Sequence, residues 1–440
     1  MLKWLDGTFT TFPLKSRQSV LVNIARFIVA FTFLFSGFTK LIDPRGTCYK
    51  ITDYFAYFGI HTGSDVIPLT LSVALSTVEF LLGMYLLLGI RRKFTTISLL
   101  MIMSFLTPFT LFIAICNPVH DCGCFGDAIT LTNWQTFHKN VVLFLLALFI
   151  FLHYKKMFLI VEQGFHWIVS LYTIIFTLLF SLYSIHYLPL LDFRPYKMGV
   201  NISKAMEYPE GAPLPEYETT FIMEKDGVKK KFTVDNYPDS TWTQVDTETR
   251  MISEGYIPPI VDFSISDEKR GDITGEILND TNVTFLLISP HLEEASKNIT
   301  DELGNIYDFC TDNGYNIYAL TASTPEEIER WRYVTGAVFP IYQVDEIVLK
   351  TMIRSNPGLI LIKQGTILNK WSCNNLPKVS GDSNLTIKEL TQSSGYIYSF
   401  KVLLNLLMIY LIPLFFIIFA SNLWKKRKKA IETTKVTTLK

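Results

Sequence analysis

Residues 94–116 read FTTISLLMIMSFLTPFTLFIAIC, and the chain continues as Asn117-Pro118-Val119-His120-Asp121-Cys122-Gly123-Cys124-Phe125-Gly126-Asp127. The first stretch carries no charged side chain over 23 residues, and a helix needs roughly 20 mostly apolar residues to cross a bilayer. The second is short, polar and rich in thiols. An apolar span that delivers a cysteine loop sets the reading of everything around it.

Five further stretches have the same apolar character: about 20–40, 66–90, 139–154, 165–190 and 399–422. The run at 139–154 is short, and its helix is expected to start earlier. Six such runs are hard to place inside a soluble core. The composition agrees, because 49% of the 440 residues are hydrophobic and 34 are Phe. Charge is unevenly spread within a net of zero. Residues 191–398 hold 31 acidic and 19 basic side chains, so the rest of the chain is basic by the same margin. No concentrated basic face remains for nucleic acid.

Lys and Arg between the spans give an expected orientation. Lys15 and Arg17 precede the first span, and Arg91, Arg92 and Lys93 separate the second from the third. Lys155 and Lys156 separate the fourth from the fifth, and Lys425, Lys426, Arg427, Lys428 and Lys429 follow the sixth. With six spans all four clusters, and both termini, fall on one side, the cytoplasm. Loops 41–65 and 117–138 and the region 191–398 then face the periplasm of a bacterial inner membrane. No small-residue cleavage site follows the first span, which reads as an uncleaved signal anchor. Cys48, Cys116, Cys122, Cys124, Cys310 and Cys373 all lie outside or at that face, where thiols can form lasting disulfides.

A Cys-Gly-Cys closed on itself is tight and therefore relatively oxidising. Three readings of the loop stay open. In redox exchange, one thiolate attacks a partner's disulfide and the other resolves it, so Cys124→Ser would trap a partner on Cys122. Alternatively, Cys48 forms a static staple with Cys122 or Cys124. The third reading is a metal site from Cys48, His120, Cys122 and Cys124, although CxC spacing suits zinc poorly. His120 and Asp121 are the neighbours expected to tune thiolate character.

Two charges fall inside spans. At about 1.5 Å per residue, Glu79 is level with about residue 31, roughly 8 Å along the axis from Arg26, with Lys40 farther toward the outer face. An Arg26–Glu79 pair orienting two helices is one expectation. The other is a carboxylate serving a proton path or a quinone pocket.

The segment Phe35-Ser36-Gly37-Phe38-Thr39-Lys40-Leu41-Ile42-Asp43-Pro44 resembles the GxxKLxDP signature of DoxX-like membrane proteins. Cys122-Gly123-Cys124-Phe125-Gly126 resembles the branch named after MauE, the methylamine-utilisation membrane protein. The likeness covers about residues 18–155. It implies a four-helix bundle similar to that of quinone-linked thiol oxidases, and disulfide formation outside the cytoplasmic membrane. It further implies Cys122 and Cys124 as the redox pair, Cys48 as a relay and a membrane quinone as electron acceptor. The chain has no CxxC, which departs from a relay with two dithiol pairs.

Residues 191–255 begin polar, with Pro209, Pro213 and Pro215, then alternate through Phe221–Glu224 and Lys231–Val234 around Asp226-Gly227, a hairpin signal. From about 256 strands alternate with helices. Ile260–Ser264 leads into an early strand, Thr284–Ile288 is a buried strand, Leu292–Cys310 a helix and Tyr315–Leu320 a strand. Thr324-Pro325-Glu326 opens a helix, and Ile353–Ile362, Lys363-Gln364-Gly365 and Ile367–Trp371 give strand, turn and strand. This order resembles the thioredoxin-like fold over about 256–375, with Asn356-Pro357 in the place of that fold's cis-proline, Pro357. Where that family carries CxxC, this chain has Ser289-Pro290-His291-Leu292, which cannot perform dithiol chemistry. Cys310 and Cys373 read as structural thiols, and His291 as a solvated residue at a helix start.

The expected fold is a polytopic α-helical membrane protein, a DoxX-like four-helix bundle with two further spans, carrying an α/β thioredoxin-like extracytoplasmic domain. Its parts are the bundle at 18–156, a fifth span at 163–190 and a β-rich linker at 191–255. A degenerate thioredoxin-like domain at 256–395 and an anchor with a basic tail at 399–424 follow. The expected function is thiol–disulfide exchange or disulfide formation on extracytoplasmic thiol protein clients, with the lipid bilayer as the other partner. Its rivals are a non-catalytic scaffold or receptor with a loop staple, and a small-molecule carrier. No metal is expected.

Overall fold

The structure, a computed structural model, describes residues 17–119, 121–213, 216–225, 228–239, 241–253, 255–379, 387–392 and 396–438. The chain divides into two compact units. One holds the residues up to Arg194, residues 371–377 and the C-terminal helix, and the other holds Pro195–Lys370 with a short following piece.

In the first unit, helices α1 (Arg17–Ile42), α2 (Pro44–Tyr57), α3 (Val66–Leu88), α4 (Arg92–Cys116), α5 (Asn133–Leu152) and α6 (His166–His186) follow in order, with the short strand β1 (Cys124–Asp127) between α4 and α5. Among the described residues, six helices are long and apolar enough to cross a membrane: α1, α3, α4, α5, the α6 region and the C-terminal helix. Phe31, Phe105, Leu145 and Leu179 are exposed on them, where acyl chains would cover them.

Two helix starts are set by caps, the first unexpected and the second earlier than its apolar run, as expected. The loop after α1 folds into α2, because Asp43 accepts from the Gly46 N–H and Pro44 takes the first turn. The fourth span begins at Asn133 and not near 139. Thr132 and Gln135 close a reciprocal capping box there, and Asn133, Thr136 and Asn140 continue the buried face with polar groups.

Close packing of α1 on α3 fixes their register. A Cβ on Gly37 would lie 2.6 Å from the Phe80 nitrogen, and one on Gly83 would lie 2.8 Å from the Leu34 nitrogen. Only hydrogen fits at those crossings, the small-residue device of membrane helices. Phe80 is therefore opposite Gly37, and Glu79 is level with Ser36–Lys40, not with residue 31. The expected alignment failed because it set the two spans end to end. In fact the first turns of α3 run past the end of α1 and pack on α2, where the Ser72 hydroxyl donates to the Pro44 carbonyl (2.7 Å).

The second unit contains two sheets. Helix α7 (Ile202–Met206) precedes an antiparallel sheet of β2 (Glu216–Lys225), β3 (Val228–Thr233) and β4 (Thr243–Ser253) in the order β3-β2-β4. The hairpin forms as expected around residues 226–227, which themselves lie outside the described residues, as does Pro215. The third strand was not foreseen.

The other sheet has seven strands. In chain order its elements are β5 (Ser266–Asp267), β6 (Gly271–Asp272), α8 (Thr274–Leu278), β7 (Val283–Ser289), α9 (Thr300–Asp312), β8 (Asn316–Thr321), α10 (Pro325–Thr335), β9 (Ile341–Gln343), α11 (Glu346–Met352), β10 (Gly358–Lys363) and β11 (Thr366–Ser372). The spatial order is β11-β10-β7-β8-β9-β5-β6. The fully buried β7 pairs parallel with β8 and antiparallel with β10, so Leu286 faces Tyr318 on one side and Ile360 on the other. Thr324 and Glu327 cap α10 as its sequence foretells.

Ile260–Ser264 leads into the short strand β5 as expected, with Ile260, Phe263 and Ile265 buried, Val261 exposed and Asp262 at φ +60. One expectation here is corrected: Leu292–Cys310 is not one helix, since α9 starts only at Thr300. Before it, Ala295 and Ser296 are extended, and the Ser296 N–H donates to the Asn356 carbonyl (3.3 Å) instead of to a helical turn. The Asn356–Pro357 peptide is cis.

Helices α12 (Ile387–Gln392) and α13 (Tyr396–Thr438) end the chain. Helix α13 seats against α6. The Tyr410 ring stacks on Tyr172 (centroids 5.5 Å apart) and its hydroxyl bonds that of Thr173 (3.0 Å).

Candidate functional site: a clamped Cys-Gly-Cys loop

Both ends of the thiol loop are tied down. At its start, the Asn133 side chain donates to Asn117 Oδ1 (2.7 Å) and to the Val119 carbonyl (2.9 Å). Asp121 then turns the chain, since its Oδ1 accepts from the Gly123 N–H (2.9 Å). Its Oδ2 pairs with Lys50 Nζ on α2 (2.9 Å). Gly123 sits at φ +65, and a Cβ there would lie 3.3 Å from Lys50 Cγ. The left-handed backbone favours glycine here, and a Cβ would also press on the crossing Lys50 side chain. Past the turn, Phe125 is buried with its ring 5.5 Å from that of Phe35, and Lys139 Nζ lies 4.4 Å from the Phe125 centroid.

Beneath Cys124 lies a buried ion pair. Lys40 Nζ is 2.8 Å from Glu79 Oε2, 2.7 Å from Ser36 Oγ and 2.6 Å from the Cys124 carbonyl. An ammonium has three N–H donors, and all three have an acceptor here. Ser36 Oγ also lies within hydrogen-bond reach of Glu79 Oε2 (2.8 Å) and of the Cys124 carbonyl (2.7 Å). Ser36 and Lys40 share one face of α1 because they are four residues apart.

The two sulfurs, Cys122 Sγ and Cys124 Sγ, are 2.9 Å apart, and both thiols are free. At that separation one proton serves both. Either thiol can donate to the other. The bond with Cys122, together with the Lys139 and Lys40 ammonium groups, draws Cys124 below the usual thiol range against the effect of burial, and the same two ammonium groups pull on Cys122. Cys122 is nonetheless held well above that range by the bond with Cys124, by burial and by the Cys124 charge. Tyr54 on α2 lies against Cys122, and burial followed by the sulfur charges pushes its hydroxyl up.

Of the residues expected from sequence, Cys122, Cys124, Asp121 and Glu79 come together at this loop. His120 lies outside the described residues, so its part is left open. Arg26 does not pair with Glu79. It is buried among Phe27 and Phe158, its guanidinium 4.0 Å from the Phe158 ring centre and its Nη1 donating to the Phe158 carbonyl (2.7 Å). Cys48 is buried with Sγ 3.9 Å from the Asp65 carbonyl. At 100° or so per residue, Lys50 and Tyr54 stand about 40° apart around α2, and Cys48 lies roughly 120–160° from them. Cys116 is exposed at the end of α4, and Cys373 is half-buried after β11. Cys310 is buried, which pushes its thiol up to about 12 and leaves it a poor nucleophile. Sequence reasoning missed Lys40, Lys50, Tyr54 and Lys139. The signal for Lys40 was its four-residue spacing from Ser36; no local signal marks Lys50 or Tyr54. Among the described residues no group of three His, Cys, Asp or Glu side chains could hold a metal ion.

Beyond the described loop, the end of β7 is also a polar cluster. Ser289 donates to Asn356 Oδ1 (2.6 Å), and the His291 ring lies 3.0 Å from Glu346 and 3.3 Å from Glu293.

Six apolar helices and a thiol loop seated on a buried ion pair define a multi-pass helical membrane protein with a polar, thiol-bearing site at one end of its bundle. Residues 18–153 match the family model described as methylamine utilisation protein MauE, so that segment is similar to MauE-type membrane proteins. The match spans about a third of the chain. Residues 217–254, which include most of the three-stranded sheet, match a model described as a domain of unknown function. No curated protein matches the chain.

Proposed function

We propose that this protein exchanges thiols and disulfides on the extracytoplasmic side of a bacterial inner membrane, through Cys122 and Cys124. The observation that carries this is the 2.9 Å sulfur pair with Cys124 lowered and Cys122 raised. Such a pair has one ready nucleophile and one resolving thiol. The Cys124 thiolate attacks one sulfur of a client disulfide, forming a Cys124–client bond and releasing the other client sulfur as a thiolate. Cys122 gives its proton to that thiolate and attacks Cys124, expelling the second client sulfur. The client gains two electrons and the loop closes as a disulfide. Run backward, the same steps make a client disulfide. Repeated formation then needs a two-electron acceptor, and a membrane quinone is the proposed one, suggested by the resemblance of the bundle to quinone-linked thiol oxidases. Cys48, on the far flank of α2, would relay electrons only after that flank meets the loop.

Sidedness rests on the basic clusters Arg91–Lys93 and Lys155–Lys156, which sit at the bundle end away from the loop in a six-span chain. The domain from 256 onward supports a docking role. Its β7 is flanked by parallel β8 and antiparallel β10, with Asn356–Pro357 directly before β10 and Ser289-Pro290-His291 at the end of β7 in place of a dithiol, an order similar to thioredoxin-like folds. Spans α6 and α13 tether it at both ends, which raises its effective concentration near the loop. Maleimide trapping in intact cells tests the proposal. Cys122 and Cys124 should change state with added oxidant or reductant; a pair that stays fully oxidised and unresponsive would mark a scaffold with a locked loop.

A further inference from the structure

The ammonium of Lys40 reaches the loop from a helix the exchange chemistry does not otherwise use. It is 4% exposed, its partner Glu79 is 8% exposed, and its three N–H bonds end on Glu79, Ser36 and the carbonyl of Cys124 itself. A lysine normally keeps much rotamer freedom. Here that freedom is spent on a backbone atom of one particular cysteine. Lys50 grips the loop on the other side, at Asp121, three residues before Cys124. The close crossings at Gly37 and Gly83 hold Glu79 where it can fix the ammonium.

Resting on the exchange reading above, we propose that Lys40 is a positioning residue that makes Cys124, and not Cys122, the attacking sulfur. Its positive charge favours a thiolate at either sulfur, and the bond that clamps the Cys124 carbonyl to α1 is what singles out Cys124. Glu79 anchors the ammonium and partly offsets it. The remaining groups facing the sulfurs are Tyr54 and the Lys50–Asp121 pair from the α2 side and Lys139 from α5. None of these bonds the Cys124 backbone in the described contacts.

The test uses the full chain in detergent, with pH-dependent iodoacetamide labelling of each cysteine read by peptide mass spectrometry. The wild-type protein should label Cys124 first, with an inflection below that of an ordinary thiol. Lys40→Met should move the inflection upward, slow Cys124 labelling at neutral pH by on the order of tenfold and even out the two sites. Lys40→Arg should restore the preference. Glu79→Gln should move the inflection the other way, because the thiolate then becomes the closest counter-charge of the ammonium. A purely structural clamp would loosen in both variants and shift both alike, and that result would overturn the proposal, as would a Lys40→Met profile that matches wild type. If Lys40→Met fails to accumulate, the direction of the Glu79→Gln shift still decides. A parallel reaction of the Cys122→Ser chain, with and without Lys40→Met, with oxidised glutathione separates the two readings. A mixed disulfide on Cys124 with no Lys40 dependence sinks this inference alone, whereas ordered labelling of the full set of thiols without any mixed disulfide in Cys122→Ser sinks the exchange reading alone.

Discussion

Asp121 and Gly123 do different work within three residues. The carboxylate bridges the loop to Lys50 while it caps the Gly123 N–H, and Gly123 supplies the positive φ that lets both sulfurs face each other. Any side chain at 123 must enter the left-handed region, at a cost of roughly 1–2 kcal/mol, and also press on Lys50. Gly123→Ala should therefore leave the helices folded but weaken the Cys122–Cys124 coupling. Thiol titration should show Cys124 returning toward the ordinary range, and an unchanged titration would mean the turn is not what holds the pair. Some of this was legible in the sequence: Cys-Gly-Cys announces a tight dithiol, and Asp121 stands next to it. Lys40 was legible only as a charge near a span end, because its partner depends on helix register. Lys50 and Tyr54 come from α2, a helix that no apolar run announces.

Helix α2 also explains why the Arg26–Glu79 expectation failed. Counting residues from span ends assumes that each helix begins at the same plane, but α3 begins alongside α2, beyond the end of α1. The register is instead set by Gly37 and Gly83, each pressed against the backbone of the facing helix. A branched side chain at 37 would force α1 and α3 apart, and overpacking of that kind costs roughly 1–3 kcal/mol. Gly37→Val should lower the thermal unfolding midpoint of the solubilised protein and raise Cys124 back toward an ordinary thiol, since Lys40 and Glu79 would separate together. A normal midpoint with a normal thiol profile would show that this crossing does not set the site. In the second unit, strands with uniform burial such as β7 and β10 were readable from composition, and α10 from its cap. The segment 292–299 misled because its helix-like run is broken at Ala295–Ser296, where the Ser296 N–H bonds the Asn356 carbonyl.

Across the complete chain, the apolar spans and the acidic region between the fifth and sixth were plain in the sequence, because length and hydropathy are additive properties. Which sulfur leads was not, since it depends on side chains brought from four helices to one short loop. The sequence alone suggested that Cys124→Ser would strand a client on Cys122, and the order proposed above is the reverse. The decisive experiment is therefore the pair of trapping variants, Cys122→Ser and Cys124→Ser, expressed at full length and isolated after acid quench for mapping of mixed disulfides. The proposed order calls for client thiols to accumulate on Cys124 in Cys122→Ser and to be scarce on Cys122 in Cys124→Ser. Client adducts found only in Cys124→Ser, or in neither variant, would contradict it.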